Sequence, residues 1–475
     1  MDLGKDPLGK LILKLAIPAV IAQVVNLLYN LVDRMFVGRI SGIGTDALAG
    51  LGICFPITLV ASAFSRLAGM GGSPLASIKM GEGNLQEANI LFNQSVCTLF
   101  FLGIILTIIL IFAGDWLIDV FGCPASAFPY AQQYLRIYAL GTIFITLSLG
   151  LNPFITAQGF SLIAMLTVLI GAILNIGLCP LFIYVFKMQV RGSALATVIS
   201  QGVSAIWAFS FFFRKKSKLH YNIRHFIPSW SRLGRILLLG LSPFIMSATE
   251  SAVQIVFNVT IRKYSHNNSA YSAALTIMLT AIQIISNPLS GLGSGVQPVV
   301  SYNYGSGDAE RVKKSVIYCT IAALIFCVIV WVLSLAYPAL YGYIFGVEPE
   351  VMVIIKKFTP IFMMGSIMFF AQMTLQSINV ALNQAGISIF LACLRKIILL
   401  IPLCFLLPLA MGINGVFYSE GISDLVAGIT TFVLFLVMFP RIMKKRKEEL
   451  EKMRTMEINS YTQPLNSDQL VSNEA

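Results

Sequence analysis

The chain has 475 residues, of which 57% are hydrophobic and only 11% charged, with mean hydropathy +0.82. A water-soluble domain carries about 25% charged residues. This chain cannot cover a solvent-facing surface, so a soluble globular fold is excluded. Its net charge of +12 lies along segment edges and forms no stripe with interleaved aromatics, which argues against a nucleic-acid partner.

Apolar runs long enough to cross a bilayer as helices, at about 20 residues each, recur twelve times. The first six lie near 11–37, 47–70, 90–113, 131–152, 162–186 and 193–213; the second six near 236–261, 271–297, 314–337, 358–380, 387–411 and 415–439. These runs are too long for barrel strands, so an all-α polytopic membrane protein is expected. Lys5 and Lys10 are not followed by a short apolar core with a small-residue cleavage site, so no removable signal peptide is expected. Sixteen of the 33 Lys and Arg residues fall before the first span, between the sixth and seventh, and after the twelfth. By the positive-inside rule both termini and the basic segment are cytoplasmic, in a plasma (inner) membrane.

The two sets of six echo each other. Residues 8–18 (LGKLILKLAIP) are answered by 233–243 (LGRILLLGLSP). Gly69-Met70-Gly71-Gly72 is answered by Gly293-Ser294-Gly295-Val296, and Gly81-Glu82-Gly83-Asn84 by Gly305-Ser306-Gly307-Asp308. Six spans per half give both halves one orientation, so the repeat is parallel, a common ground plan of secondary transporters. The expected organisation is an N-terminal lobe (1–213), a basic linker (214–235), a C-terminal lobe (236–440) and a tail (441–475), charged and helical to 454 and disordered beyond.

Polar groups inside spans are costly and mark bundle interiors or pathways. Gln23, Asn26, Asn30 and Asp33 are spaced 3, 4 and 3 apart, on one helix face, with Tyr29 beside them. Arg34 follows Asp33 but points about 100° away, so it is not an automatic partner. In the seventh span Ser247, Glu250, Gln254 and Asn258 form a matching stripe, in which Glu250 has no acidic counterpart in the first half. Glu250 suits either ion coupling or a structural pair. In the tenth, Gln372, Gln376, Asn379 and Asn383 line a cavity or a packing seam. Asp424 and Arg395 come to similar depth and are expected to pair. Arg66 and Arg136 are placed near span ends, reaching the interface. Pro18 and Pro243 fall at matching places and permit bends. Eight cysteines form no CxxC pair and suit packing. No Walker loop, HExxH or nucleophile elbow occurs, so neither ATP drive nor an enzyme is expected.

Several of these segments resemble the multidrug and toxic compound extrusion (MATE) transporters. Asn26-x-x-Tyr29-Asn30-Leu31-Val32-Asp33-Arg34-Met35-Phe36-Val37-Gly38 is similar to that family's first-span signature. Gly69-Met70-Gly71-Gly72-Ser73 with Gly81-Glu82-Gly83, Gly171-Ala172-Ile173-Leu174-Asn175, and Val190-Arg191-Gly192-Ser193-Ala194-Leu195-Ala196-Thr197 resemble its second, fifth and sixth spans. The match covers roughly residues 8–440 and is nearest the bacterial MepA-like branch. It implies twelve helices in two six-helix lobes around a cavity, and export of cationic or amphipathic organic compounds in exchange for H+ or Na+. It places ion coupling at Asp33, Asn175 and, more loosely, Glu250, with any Na+ held at Asp33 and Asn175. The family's fifth-span Asp-Pro reads Cys179-Pro180 here. A neutral thiol does not replace a carboxylate, so Cys179 is expected to pack while coupling contracts onto Asp33.

The expected function is therefore a monomeric secondary antiporter without a cofactor. Its substrate cavity is expected to contain Gln23, Asn26, Tyr29, Asn30, Gln254, Asn258, Gln372, Gln376 and Asn379. A lipid-linked oligosaccharide flippase is the nearest alternative, but it needs a cationic cavity. A non-transporting scaffold needs no matched stripes.

Overall fold

The computed structural model describes residues 2–40, 42–226, 229–265 and 268–462. Among these residues it is all α, with no strand. Twelve helices are long and apolar enough to cross a membrane. The first lobe comprises α1 (Leu8–Gly38), α2 (Gly44–Gly81), α3 (Leu85–Val120), α4 (Phe128–Ala157), α5 (Ser161–Val185) and α6 (Val190–Phe211). The second comprises α7 (Trp230–Tyr264), α8 (Ser269–Ser306), α9 (Ala309–Ala336), α10 (Pro349–Ala381), α11 (Ala385–Met411) and α12 (Ile413–Thr462). Helices α1 and α7 stay continuous through Pro18 and Pro243. Three stretches widen into π-helical turns: Leu181–Val185, Phe370–Leu375 and Leu394–Leu400. Helix α12 passes residue 454, because Lys, Arg and Glu after Pro440 are good helix formers. Residues 463–475 lie outside the described residues.

The repeat is visible in contacts as well as letters, at a spacing of 225 between α1 and α7 and 224 through α2 to the start of α3. Gly69 meets Gly150 on α4 of its own lobe, while Gly71 meets Gly240 on α7 of the other. Their counterparts do the same: Gly293 meets Ser377 on α10, and Gly295 meets Ala16 on α1. Ser77 Oγ donates to Ala157 O and Ser301 Oγ to Ala381 O. Asn84 caps α3 through Glu87 N, and Asp308 caps α9 through Arg311 N. Equivalent residues making equivalent contacts within and between lobes describe a pseudo-twofold bundle.

The lobes are sealed at the end that carries the N-terminus and the inter-lobe linker. Gly81 lies on the Tyr302 carbonyl and Gly305 on the Ile78 carbonyl. A Cβ at either would overlap backbone, so small residues permit this close approach. Arg446 of α12 clamps the seam, donating to Tyr304 O at 3.0 Å, Gly305 O at 3.0 Å and, across the lobes, Glu82 Oε1 at 2.6 Å. Arg311 holds the N-terminal segment through Leu3 O and Asp6 O. The linker is pinned to the first lobe, where Gln158 Oε1 accepts from Lys218 N and Leu219 N, and Arg232 grips Glu87 with two nitrogens. The seam continues as far as Val20 against Gly291 on one side and Pro56 O against Ser251 Oγ on the other.

Candidate functional site

Helix α1 carries its polar stripe from the seam toward the far end. Gln23 and Asn30 are half-buried, Asn26 is exposed, Tyr29 is half-buried, and Asp33 at the end of the stripe is buried. Asn30 Nδ2 turns back to Asn26 O at 2.7 Å. Asp33 is covered where α5 hands over to α6. Gly192, whose Cβ would strike the Phe182 and Ile183 backbone, lets the first turn of α6 press against the π-helical end of α5. That packing brings two donors onto one carboxylate oxygen: Cys179 Sγ at 3.2 Å and Ser193 Oγ at 3.0 Å from Asp33 Oδ1. Arg34 turns away and lies over the Phe55 ring, 4.0 Å from its centroid.

Two placements here differ from the sequence-based expectation. Asn175, expected beside Asp33, gives its amide to Thr197 Oγ1 at 3.2 Å. Cys179, expected only to pack, touches the carboxylate directly. A thiol remains a weak donor, but residue 179 sits one turn beyond Asn175, just before the π turn Leu181–Val185, and faces α1. Ser193 and Thr197 belong to the α6 segment that carries the family resemblance, yet nothing in their spacing separates a ligand from a packing hydroxyl.

The second lobe is built differently. On α7, Glu250 is half-exposed, Gln254 is half-buried and Asn258 is exposed. Glu250 does not stand free: Lys396 of α11 forms an ion pair with it. Next to Lys396, Arg395 donates from Nε to Asp424 Oδ1 at 2.6 Å and lies 3.5 Å from Glu420 Oε1. In an ordinary α-helix two adjacent residues diverge by about 100°. Here the π turn Leu394–Leu400 carries both, and both are buried in one cluster. Such turns are rare and often sit at functional sites.

The α10 stripe joins this cluster and not α1. Gln372 Nε2 donates to Asp424 O, and Gln376 Nε2 donates to Ser242 Oγ at 2.7 Å and Ser388 O at 2.6 Å. Gln372 and Gln376 line a narrow cavity within the second lobe, together with Met246, Arg395 and Lys396. Asn379 is buried on the same helix. Gln372 and Gln376 were expected in a shared substrate cavity. Both face their own lobe, Gln372 toward α12 and Gln376 toward α7 and α11, from the π segment and the turn that follows it.

Arg66 also differs from its expected place. Helix α2 runs to Gly81, eleven residues beyond the end of its apolar run, so Arg66 falls in mid-helix and is exposed there. It lies eleven residues, about three turns, after Phe55 and shares the face on which Arg34 rests. Arg136 is exposed and pairs with Asp115 at 2.9 Å. All eight cysteines are free thiols. Among the described residues, no three His, Cys, Asp or Glu side chains are grouped to hold a metal ion.

Comparison with known proteins converges on one group. The family model described as MatE matches twice, over residues 18–181 and 243–406, once in each lobe. The chain is 24% identical to the multidrug export protein MepA of Staphylococcus haemolyticus, over 94% of this chain and 96% of that one. It is 22% identical to MepA of Staphylococcus aureus strain MRSA252, over 94% and 98%. Among solved structures, the outward-facing conformation of a multidrug resistance MATE family transporter superposes with a TM-score of 0.85 at 22% identity, covering 93% of this chain and 98% of that chain. A transporter from Pyrococcus furiosus, described as having a binding pocket of reverse polarity, superposes with a TM-score of 0.85 at 23% identity over the same shares.

Proposed function

Since the chain belongs to the MatE family, we propose that it is a secondary antiporter that exports organic compounds, cationic and amphipathic, in exchange for protons or sodium ions. The observation that carries this reading is Asp33: a carboxylate buried in the first lobe, at the end of a half-buried to exposed polar stripe, hydrogen-bonded by neutral donors. Burial favours its neutral form, whereas the Cys179 and Ser193 donors or a bound cation favour its charged form. A proton and a substrate cation then compete for one charge, which is what exchange requires. The donor set of one carboxylate, a thiol and a hydroxyl suits a proton better than sodium, which prefers a shell of oxygens.

In this reading the substrate meets Gln23, Asn26, Tyr29 and Asn30 on α1 and Gln254 and Asn258 on α7. Few directional bonds and much apolar area give broad selectivity. The export function named for the staphylococcal relatives supports the assignment to organic compounds. Alternating access follows from opening the seam clamped by Arg446 and closing the opposite end.

The sealed end is assigned to the cytoplasm, because the linker and the start of the tail concentrate Arg214, Lys215, Lys216, Lys218 and Arg441 to Lys447 there. Lys218→Cys in a background without other cysteines then resists a membrane-impermeant thiol reagent in intact cells; ready labelling reverses the orientation. The decisive test is efflux of an organic cation from proteoliposomes with proton and sodium gradients imposed separately. Efflux driven by the proton gradient alone supports the reading. Efflux indifferent to both gradients rejects it.

A further inference from the structure

The charge cluster of the second lobe does not balance. Its basic members are Arg395 and Lys396 on α11, and its acids are Glu250 on α7 and Glu420 and Asp424 on α12. Lys396 is committed to Glu250 and Arg395 Nε to Asp424. Glu420 is the acid left over. It has one contact, 3.5 Å from Arg395, at the limit of a hydrogen bond. Its side chain is 5% exposed, and its second oxygen, Oε2, is buried without a partner. One turn away on the same helix face, Asp424 Oδ2 is also buried without a partner.

Two orphaned carboxylate oxygens and an excess negative charge cannot persist in an apolar interior without compensation. We propose that Glu420 is a proton-binding site of the second lobe, distinct from Asp33, holding one exchangeable proton in the sealed conformation seen here. A proton removes the surplus charge and turns one of two orphaned acceptors into a donor. A metal cation fits less well. The free oxygens are few, and two fixed positive groups stand beside them.

The titratable and charged groups facing Glu420 are Asp424 on its own helix, and Arg395, Lys396 and Cys404 on α11. The Cys404 thiol is engaged with Ser419 Oγ at 3.0 Å. Glu250 reaches the cluster through Lys396, and its side chain is 36% exposed whereas that of Lys396 is 7% exposed. The pair therefore joins the buried acids to the half-exposed face of α7. When Lys396 leaves Glu250 and turns to Glu420, the Glu420 proton is expelled toward that exposed carboxylate. No bond other than the O–H is broken, and the proton passes to Glu250 or to solvent. This gives the second lobe a titration step of its own, whether or not the exported compound is a cation.

Infrared spectroscopy of the purified full-length protein tests this without any transport assay. In an Asp33→Asn background, the protein at neutral pH shows a protonated-carboxyl stretching band that shifts on exchange into deuterium oxide. Adding Glu420→Gln removes that band, and Glu420→Asp keeps a band but shifts its frequency. Three results overturn the proposal: no such band in Asp33→Asn, a band unchanged by Glu420→Gln, or a band whose frequency Glu420→Asp leaves unchanged. If Glu420→Gln does not fold, titration of the Asp33→Asn protein decides. Reversible loss of the band at alkaline pH, with the fold intact by circular dichroism, supports the site. A band absent throughout, or one replaced on adding sodium at constant pH, rejects it.

Discussion

In the first lobe one buried carboxylate, Asp33, meets neutral donors from α5 and α6. In the second, three carboxylates meet two bases across α7, α11 and α12. The two lobes repeat the same seam glycines and the same helix caps at one spacing, so their backbones answer nearly the same packing problem. Their polar interiors do not. The position opposite Asp33 in the repeat is Asn258, and the first lobe has no counterpart to the Arg395–Lys396 pair. A repeat therefore conserves the geometry of close approach while leaving charge free to diverge. Close approach constrains the size of a side chain at each contact, whereas charge requires only a local partner. A lone acid among neutral donors can change its charge with little else moving. The paired charges of the second lobe cannot, because each partner left behind becomes an uncompensated ion, so only the surplus acid there, Glu420, is free to change its charge.

If that contrast is right, removing the charge of Asp33 costs function and not fold. Asp33→Asn should abolish essentially all gradient-driven efflux from proteoliposomes while its thermal midpoint in detergent matches the parent. Normal coupled efflux by this variant would show that the first lobe does not couple.

In the second lobe the effect should fall on stability. Arg395→Met strands the Asp424 carboxylate in the interior and should cost about 3–5 kcal/mol, read as a large loss of thermal midpoint. Lys396→Met should cost less, since its partner Glu250 is half-exposed and retains water. Adding Glu250→Gln to Lys396→Met should recover part of that loss. Strictly additive effects would show that the pair is not coupled.

The seam offers a smaller effect shared by both lobes. Arg446 spans them through Glu82, Tyr304 O and Gly305 O, and charge-assisted hydrogen bonds contribute about 1.5–3 kcal/mol. Arg446→Ala should weaken the sealed end by that order and speed hydrogen exchange of the backbone amides at 78–82 and 302–306. Unchanged exchange there would mean that glycine packing alone holds the seal.

The smallest effect is expected at Cys179. Cys179→Ser keeps a donor to Asp33 and should leave efflux near the parent. Cys179→Ala removes one of two donors and should cost about 1 kcal/mol, with a measurable but incomplete loss of efflux. Equal behaviour of the two variants would reduce the thiol to packing.

The amino-acid sequence by itself determined the membrane environment, the twelve helices and the parallel repeat. Each of these follows from local composition: a bilayer selects for length and apolarity, and a duplicated unit repeats its small residues at fixed spacing. The α1 stripe and the burial of Asp33 were legible for the same reason, since one helix face is set by the 3.6-residue period. The Arg395–Asp424 pair was legible from rise per residue along two adjacent helices. Which donors close on Asp33 was decided only by tertiary structure. Asn175 and Cys179 lie one turn apart, and only the packing of α6 against the widened end of α5 chose the thiol for Asp33 and sent the amide to Thr197. The Lys396–Glu250 pair and the inward turn of Gln372 and Gln376 were hidden likewise. They depend on π turns, which shift every following side chain by about one position and leave no mark in the pattern of apolar and polar letters.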